Sequence, residues 1–206
     1  MNATAQGHYD VSLRTALVIV WAVILTACAT QEQIGNAIGA VNRAFRVQYE
    51  AILAKKGTRN VSASRIDAYE AMRVALLRLG MQVEAQDPGL GFLTVVAPAP
   101  RPLDLAEWRQ AAQADLPYMR EIARPHVGMA SEFISFEPEG LLAVINATVL
   151  KVPAGSEVSL TVRLREVAPP RSGIPRREYI SPTAVHMGLD KIWATFEQEL
   201  QMRNSR

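Results

Sequence analysis

Cysteine is the scarcest residue of this chain, because Cys28 is the only one among 206 residues. A single thiol excludes an intramolecular disulfide, so burial of apolar side chains must stabilise the fold. The three histidines, His8, His126 and His186, show neither H-x-x-x-H nor H-E-x-x-H spacing. Glycine-rich phosphate loops and the G-x-S-x-G elbow are also missing. We therefore predict no catalytic residue, no cofactor and no metal site, and expect that the protein is not an enzyme.

The sequence also lacks a long apolar run and an excess of one charge. Its longest uncharged apolar run, residues 15–27, has 13 residues, whereas a membrane-spanning helix needs roughly 20. The 22 basic and 20 acidic residues nearly cancel, which gives no reason to expect a nucleic-acid partner. The chain does contain a basic residue, Arg14, before this short apolar run, and small residues after it. That layout is typical of a secretory signal.

The residues Leu25-Thr26-Ala27-Cys28 end the apolar run and resemble the bacterial lipobox. In lipoprotein precursors with this motif, the thiol receives a diacylglyceryl group, the signal is cut before the cysteine, and the new amino group is usually acylated. The resemblance implies that residues 1–27 are removed and that Cys28 carries two or three acyl chains, which hold a protein stably on a membrane. Ala29, rather than aspartate, implies export to the outer membrane. Two alternatives are ordinary secretory cleavage at this site and an uncleaved short anchor.

The segment that follows, residues 28–57, has the pattern of an amphipathic helix. Apolar residues recur at helical spacing from Gln33 to Lys56, and Gly57 then provides a C-cap. We interpret this helix as packed on its own domain or as a spacer behind the anchor. A short coiled coil and a helix lying on lipid are the alternatives.

The remaining residues, 58–206, predict a single α+β domain, in which an antiparallel sheet has helices packed on one face. The C-terminal helix should start at Thr183, with Ser181 as N-cap and Pro182 at the first helical position. Its apolar stripe should be buried on the sheet. The order of elements that we expect is strand (near 60–63), helix (from 65), two strands (81–85 and 91–96), a helical insertion (97–130), three strands (132–136, 141–152 and 158–165) and helix (183–202).

The stretch LLRLGMQVEAQDPGLGFLTV, Leu76 to Val95, carries a family resemblance. Its helix, Leu-Gly step, alternating strand, turn and apolar strand look like the helix-grip domains of the C subunit of the outer-membrane β-barrel assembly machinery. The resemblance covers Thr58 to Met202 and implies a long C-terminal helix across a curved antiparallel sheet. Because the matching residues are structural, it implies a fold and little about function.

The insertion, residues 97–130, is long for a connection between two strands, and long connections are often functional. It carries Trp108 and Tyr118, residue types enriched where proteins meet partners. Pro117 should break or restart its helix. The alternative is that Trp108 and Leu105 only pack the insertion onto the domain.

A second segment, residues 169–177, is rich in proline and arginine. Its arginines suit acidic lipid headgroups or a protein partner, although a solvated loop would have the same composition. The predicted partner or headgroup contacts are therefore Trp108, Tyr118, Arg171, Arg176 and Arg177.

Two classes of function fit these patterns. The first is a non-enzymatic interaction or envelope-assembly module, anchored by lipid on the periplasmic side of the outer membrane, with an envelope protein as its partner. The alternative is a carrier of a lipid or other apolar ligand between the sheet and the C-terminal helix. A carrier needs spare volume in that seam, and Tyr69, Trp193 and Phe196 are large enough to fill it, which favours the first class. No pattern indicates an oligomeric state.

Overall fold

The structure, a computed structural model, describes residues 29–135, 137–167 and 181–205. These residues form helices and strands in an order that we number along the chain. The elements are α1 (Gln31–Lys56), β1 (Thr58–Val61), α2 (Arg65–Arg78), β2 (Gln82–Asp87), β3 (Phe92–Pro98), α3 (Leu105–Val127), the 3-10 helix Gly128–Phe133, β4 (Leu141–Val152), β5 (Gly155–Glu166) and α4 (Pro182–Asn204).

The strands form one antiparallel sheet in the order β1-β5-β4-β3-β2. Strand β4 is central, and it pairs with β3 and β5 along most of its length. The outer strands are the short β1 and the fully exposed β2. The predicted fold class, an α+β domain with helices packed against an antiparallel sheet, is confirmed.

Alternate residues of the central strands point into the core. In β4 and β5 the buried positions alternate with half-buried or exposed ones. Because side chains alternate between the two faces of a strand, helices cover one face of the sheet, and no described element covers the other. The covered face supplies Leu93, Val95, Ile145, Val149, Val158 and Leu160 to the core.

Helix α4 places its apolar stripe in this core, as predicted. Leu189, Ile192 and Phe196 are fully buried, and the helix begins at Pro182 behind the N-cap Ser181. The indole ring of Trp193 meets the Phe196 ring edge-on, with centroids 5.7 Å apart. Its Nε1 donates a hydrogen bond of 2.7 Å to the backbone oxygen of Lys56, which satisfies the one polar group of this buried ring.

Helix α1 belongs to the same core. Its N-cap, Thr30, forms a capping box with Gln33, and Gly57 ends the helix. The buried side chains of α1 are Ala37, Val41, Phe45 and Tyr49, and the helix packs against α3 and α4. Of the two interpretations that we favoured from the sequence, packing on the domain is therefore the one that the structure shows.

The prediction that Pro117 would break the insertion helix is wrong. Helix α3 runs without interruption through both Pro117 and Pro125. Both prolines are exposed, and so are the residues four positions earlier, Gln113 and Glu121, whose carbonyl groups lose their helical partner. Water can satisfy these carbonyls, so the helix tolerates each proline.

The predicted strand at residues 132–136 is also wrong over the residues that the structure describes. Glu132 and Phe133 end the 3-10 helix, while Ile134 and Ser135 have irregular backbone; Phe136 lies outside the described residues. Among the described residues, two strands rather than three therefore follow the insertion. Ion pairs from Arg120 and Arg124 to Glu132 hold this segment against α3, which competes with extension into a strand.

The phenol of Tyr69 should make the free energy of unfolding depend on pH in the alkaline range. Burial raises the pKa of its phenol above the ordinary 10.0, and the neighbouring Glu70 carboxylate adds to the shift. Above about pH 10 the unfolded chain loses this proton while the folded chain keeps it, so the free energy of unfolding should fall as pH rises. We expect denaturant titrations to show a shallower alkaline decline for Tyr69→Phe than for the wild type. Equal slopes for both proteins would contradict this assignment.

Candidate interaction surfaces

Of the predicted contact residues, the structure describes Trp108 and Tyr118, and these two differ in exposure. Trp108 is 3% exposed and lies in the core, where it packs the insertion onto the domain, as the alternative from the sequence had it. This position removes Trp108 from the candidate contacts. The same alternative is wrong for Leu105, which is 46% exposed. Tyr118 is 41% exposed and remains available at the surface. Cys28 and the arginines at 171, 176 and 177 lie outside the described residues.

The remaining histidines lie at the ends of helices. His186 Nδ1 is 3.2 Å from Asp190 Oδ2, and the same carboxylate accepts a 2.8 Å hydrogen bond from Lys56 Nζ. His126 is in the last turn of α3, where a basic group complements the helix dipole. Across residues 29–135, 137–167 and 181–205, no group of three or more metal-ligating side chains comes together. None of the helices in this described part combines the length and apolar character needed to cross a bilayer.

Helix α3 is fastened to the beginning of α4 by Asp115. Its carboxylate accepts hydrogen bonds from the Thr183 backbone N–H at 2.9 Å, from the Thr183 hydroxyl at 2.6 Å and from the Ser181 hydroxyl. One carboxylate thus binds three donors at the N-terminus of a helix, where negative charge is favourable. Eight residues earlier, Glu107 pairs with Lys191 at 2.6 Å. These contacts make α3 antiparallel to α4.

The same contacts set the direction of α1. Lys56, at its end, pairs with Asp190, next to the Lys191 that binds Glu107 near the start of α3. The end of α1 and the start of α3 therefore lie at the same height along α4. Because α1 and α3 also pack against each other, they are antiparallel. At 1.5 Å per residue, α1 extends about 38 Å from that height and α3 about 30 Å. We call the parts beyond the start of α4, residues 31–45, 116–127 and 128–133, the helical arm.

The distal end of the helical arm exposes two large apolar side chains. Met129 is 86% and Phe133 88% exposed, in a 3-10 helix whose Ser131 is fully buried against the arm. Arg124 Nη2 lies 2.6 Å from Glu132 Oε1, and Arg120 Nη1 lies 3.6 Å from Glu132 Oε2. These ion pairs fix the segment, so Met129 and Phe133 are presented to solvent by a packed element.

The uncovered side of the sheet forms a second surface, which we call the open sheet face. A row of polar side chains crosses its centre: Thr94 Oγ1 donates to Asn146 Oδ1 at 2.8 Å, and Asn146 Nδ2 donates to Thr161 Oγ1 at 3.2 Å. The row joins β3, β4 and β5 at one register position. Direct cross-strand pairs of this kind stabilise a sheet, and here they form a polar strip in which Asn146 and Thr161 are half-buried and Thr94 is 8% exposed.

Apolar and charged groups flank this strip. Val96 and Val144 are paired across β3 and β4, and Arg163 stands opposite Val144 on β5. Arg165 reaches across the face to Glu84 of β2, with Arg165 Nη2 at 2.6 Å from Glu84 Oε1. The face therefore mixes small aliphatic groups with hydrogen-bonding groups, a composition like that of protein interfaces that are not obligate.

The sequence analysis did not identify either surface. Phe133 was predicted to lie in a strand at residues 132–136, which the described residues do not form. Met129 was not among the predicted contact residues. The sequence of β4 is apolar at most positions, so it does not distinguish the covered face from the open one. Only the register shows that Thr94 and Thr161 flank Asn146, since these pairings join residues far apart in sequence.

No protein-family model, curated protein or solved structure matches the chain. A function is therefore proposed from the geometry of the described residues and from the sequence motifs.

Proposed function

We propose that the chain is a lipoprotein, anchored through Cys28 on the periplasmic side of the outer membrane, and that its folded body is a non-enzymatic interaction module for an envelope protein. The lipobox-like sequence at Leu25–Cys28 supports the anchor, as argued above. The packing of the seam between the sheet and the helices favours an interaction module over a carrier.

That seam is filled by side chains. Trp193, Phe196 and Met72 are 0% exposed, and Tyr69 is 3% exposed. The Trp193 ring also has the Arg59 guanidinium over it, 4.8 Å from the ring centroid, and Arg59 pairs with Glu197. A carrier would have to displace these closely packed rings to admit an acyl chain, at the cost of their mutual contacts. The packing therefore favours the interaction module.

The short distance between anchor and body supports the same proposal. Thr30, the N-cap of α1, stands only two residues after Cys28, and α1 is packed into the core. Two extended residues span at most about 7 Å. A lipidated Cys28 would hold the whole domain at the membrane surface, with little freedom to reach distant partners.

The open sheet face is the surface that we assign to the partner. It carries hydrogen-bonding groups in its central row, with Val96, Val144 and Arg163 beside them. No described helix or strand covers it, so its half-buried side chains are accessible to a second protein. Its mixed composition fits an interface that forms and dissociates better than it fits a permanent one.

The anchor is tested by Cys28→Ser. We expect this variant to accumulate as uncleaved precursor or soluble product and to lose its partition into the detergent phase, because no thiol accepts the lipid. Mass spectrometry of the wild-type protein should show an acylated N-terminal Cys28. A wild-type mature N-terminus at Thr30 without lipid mass would reject the anchor.

The interaction module is tested by crosslinking in intact cells. A photoreactive residue at Arg163, on the open sheet face, should capture a discrete envelope protein, whereas the same residue at exposed Arg109 on α3 should not. Native mass spectrometry of the purified protein tests the carrier. A lipid that co-purifies with the folded domain, together with no capture at Arg163, would overturn the proposal in favour of the carrier.

A further inference from the structure

The helical arm brings three features to one end of the molecule. Thr30 starts α1 at that end, and Val127 ends α3 there, about 8 Å short of Gln31 along the arm by helical rise. The 3-10 helix Gly128–Phe133 follows directly. Its exposed Met129 and Phe133 therefore lie at the end of the protein from which the chain continues to Cys28.

We propose that the 3-10 helix at the end of the helical arm is a second membrane contact, in which Met129 and Phe133 enter the headgroup region of the bilayer that holds Cys28. The proposal rests on the lipid anchor of the proposed function. The two residues that link Cys28 to α1 span at most about 7 Å. If the helical arm were perpendicular to the membrane, Met129 would stay above the lipid. If the arm is tilted, the lipidated Cys28 and the 3-10 helix both reach the membrane. Two contacts thus fix the tilt of the domain.

The charges around this end favour an apolar contact. Arg120 and Arg124 are opposed by Glu121 and Glu132, and Glu32 in the first turn of α1 adds another carboxylate. Among the described residues at this end, basic side chains are not in excess over acidic ones, so these residues do not select anionic lipids. Exposed methionine and phenylalanine on a rigid turn match the apolar residues that interfacial segments bury at the headgroup boundary. Binding should therefore occur on zwitterionic lipid and should change little with salt.

The lone cysteine makes a direct test possible. The full chain with Phe133→Cys is expressed, extracted from membranes and labelled with an environment-sensitive fluorophore, then reconstituted into phosphatidylcholine vesicles. Because acylation blocks Cys28, one fluorophore per chain is expected. Leu90→Cys is the matched control, since Leu90 is 73% exposed at the β2–β3 turn, in the sheet part of the domain.

The label at position 133 should shift its emission to the blue and be quenched at least several-fold more by lipid-borne nitroxide than the label at position 90. Met129→Cys should behave like Phe133→Cys. One fluorophore per chain and equal quenching at 133 and 90 would overturn the second contact while leaving the anchor intact. Two fluorophores per chain would show a free Cys28 and overturn both. A blue shift that depends on protein concentration in detergent, without vesicles, would assign the segment to a second copy of the chain instead.

Discussion

Replacing Phe196 by alanine is expected to lower the free energy of unfolding by about 3–5 kcal/mol. The ring is 0% exposed and meets the Trp193 ring edge-on on the buried side of α4. Its removal would forfeit the transfer of the ring from water and leave a cavity that the closely packed neighbours fill only in part. Trp193 would also lose an aromatic contact beyond its simple burial. Chemical denaturation followed by circular dichroism measures the change.

The chain offers a matched control in Phe133, which is 88% exposed. Phe133→Ala removes the same atoms from a surface position and should change the free energy of unfolding by no more than about 0.5 kcal/mol. A Phe196→Ala protein as stable as Phe133→Ala would contradict the position of α4 on the sheet. Equal and large losses for both would show that Phe133 is covered in solution.

Local signals in the sequence predicted most of the individual elements. Ser181 caps α4 as expected, and Gly57 ends α1, because each satisfies backbone groups within a few residues of itself. Gly91 has φ of 73°, and a Cβ there would lie 2.1 Å from the Val149 carbonyl oxygen. The sequence predicted a turn between the strands at 81–85 and 91–96, but it placed Gly91 in the second strand, whereas β3 begins at Phe92 and Gly91 belongs to the turn.

The errors have a different origin. The effect of Pro117 depends on whether its freed carbonyl faces water, and this depends on which side of α3 the core occupies. Residues 132–136 were predicted as a strand from their local sequence, but Glu132 forms ion pairs with Arg120 and Arg124, which lie on a helix outside that local segment. Tertiary contacts decided both cases.

The candidate surfaces show the same limit. Tyr118 was chosen for its residue type and is exposed, whereas Trp108, chosen on the same ground, is buried. Aromatic residues are enriched both in cores and in interfaces, so type alone cannot separate the two. The exposed end of the helical arm follows from the antiparallel packing of α1 and α3, which the pairs Lys56–Asp190 and Glu107–Lys191 establish.

The position of the helical arm depends on one side chain more than on any other. Asp115 gathers three hydrogen bonds from Ser181 and Thr183 at the N-terminus of α4, and two of them come from a single residue. Ser181 also caps α4, since its hydroxyl accepts from the Ala184 N–H. The carboxylate therefore couples the capping of one helix to the attachment of another.

Asp115→Ala should consequently lower the free energy of unfolding by about 2–3 kcal/mol, because it leaves partly buried donors without an acceptor and removes a favourable charge from the helix N-terminus. Asp190→Ala is the control: Asp190 is 47% exposed and pairs with Lys56 at the surface, so its loss should cost less than about 1 kcal/mol. Amide hydrogen exchange should also accelerate along α3 in the Asp115 variant and stay near wild type in the Asp190 variant. If both variants unfold alike and α3 exchanges at the wild-type rate, Asp115 does not fasten the arm, and packing by Met119 and Ala123 alone must hold it in place.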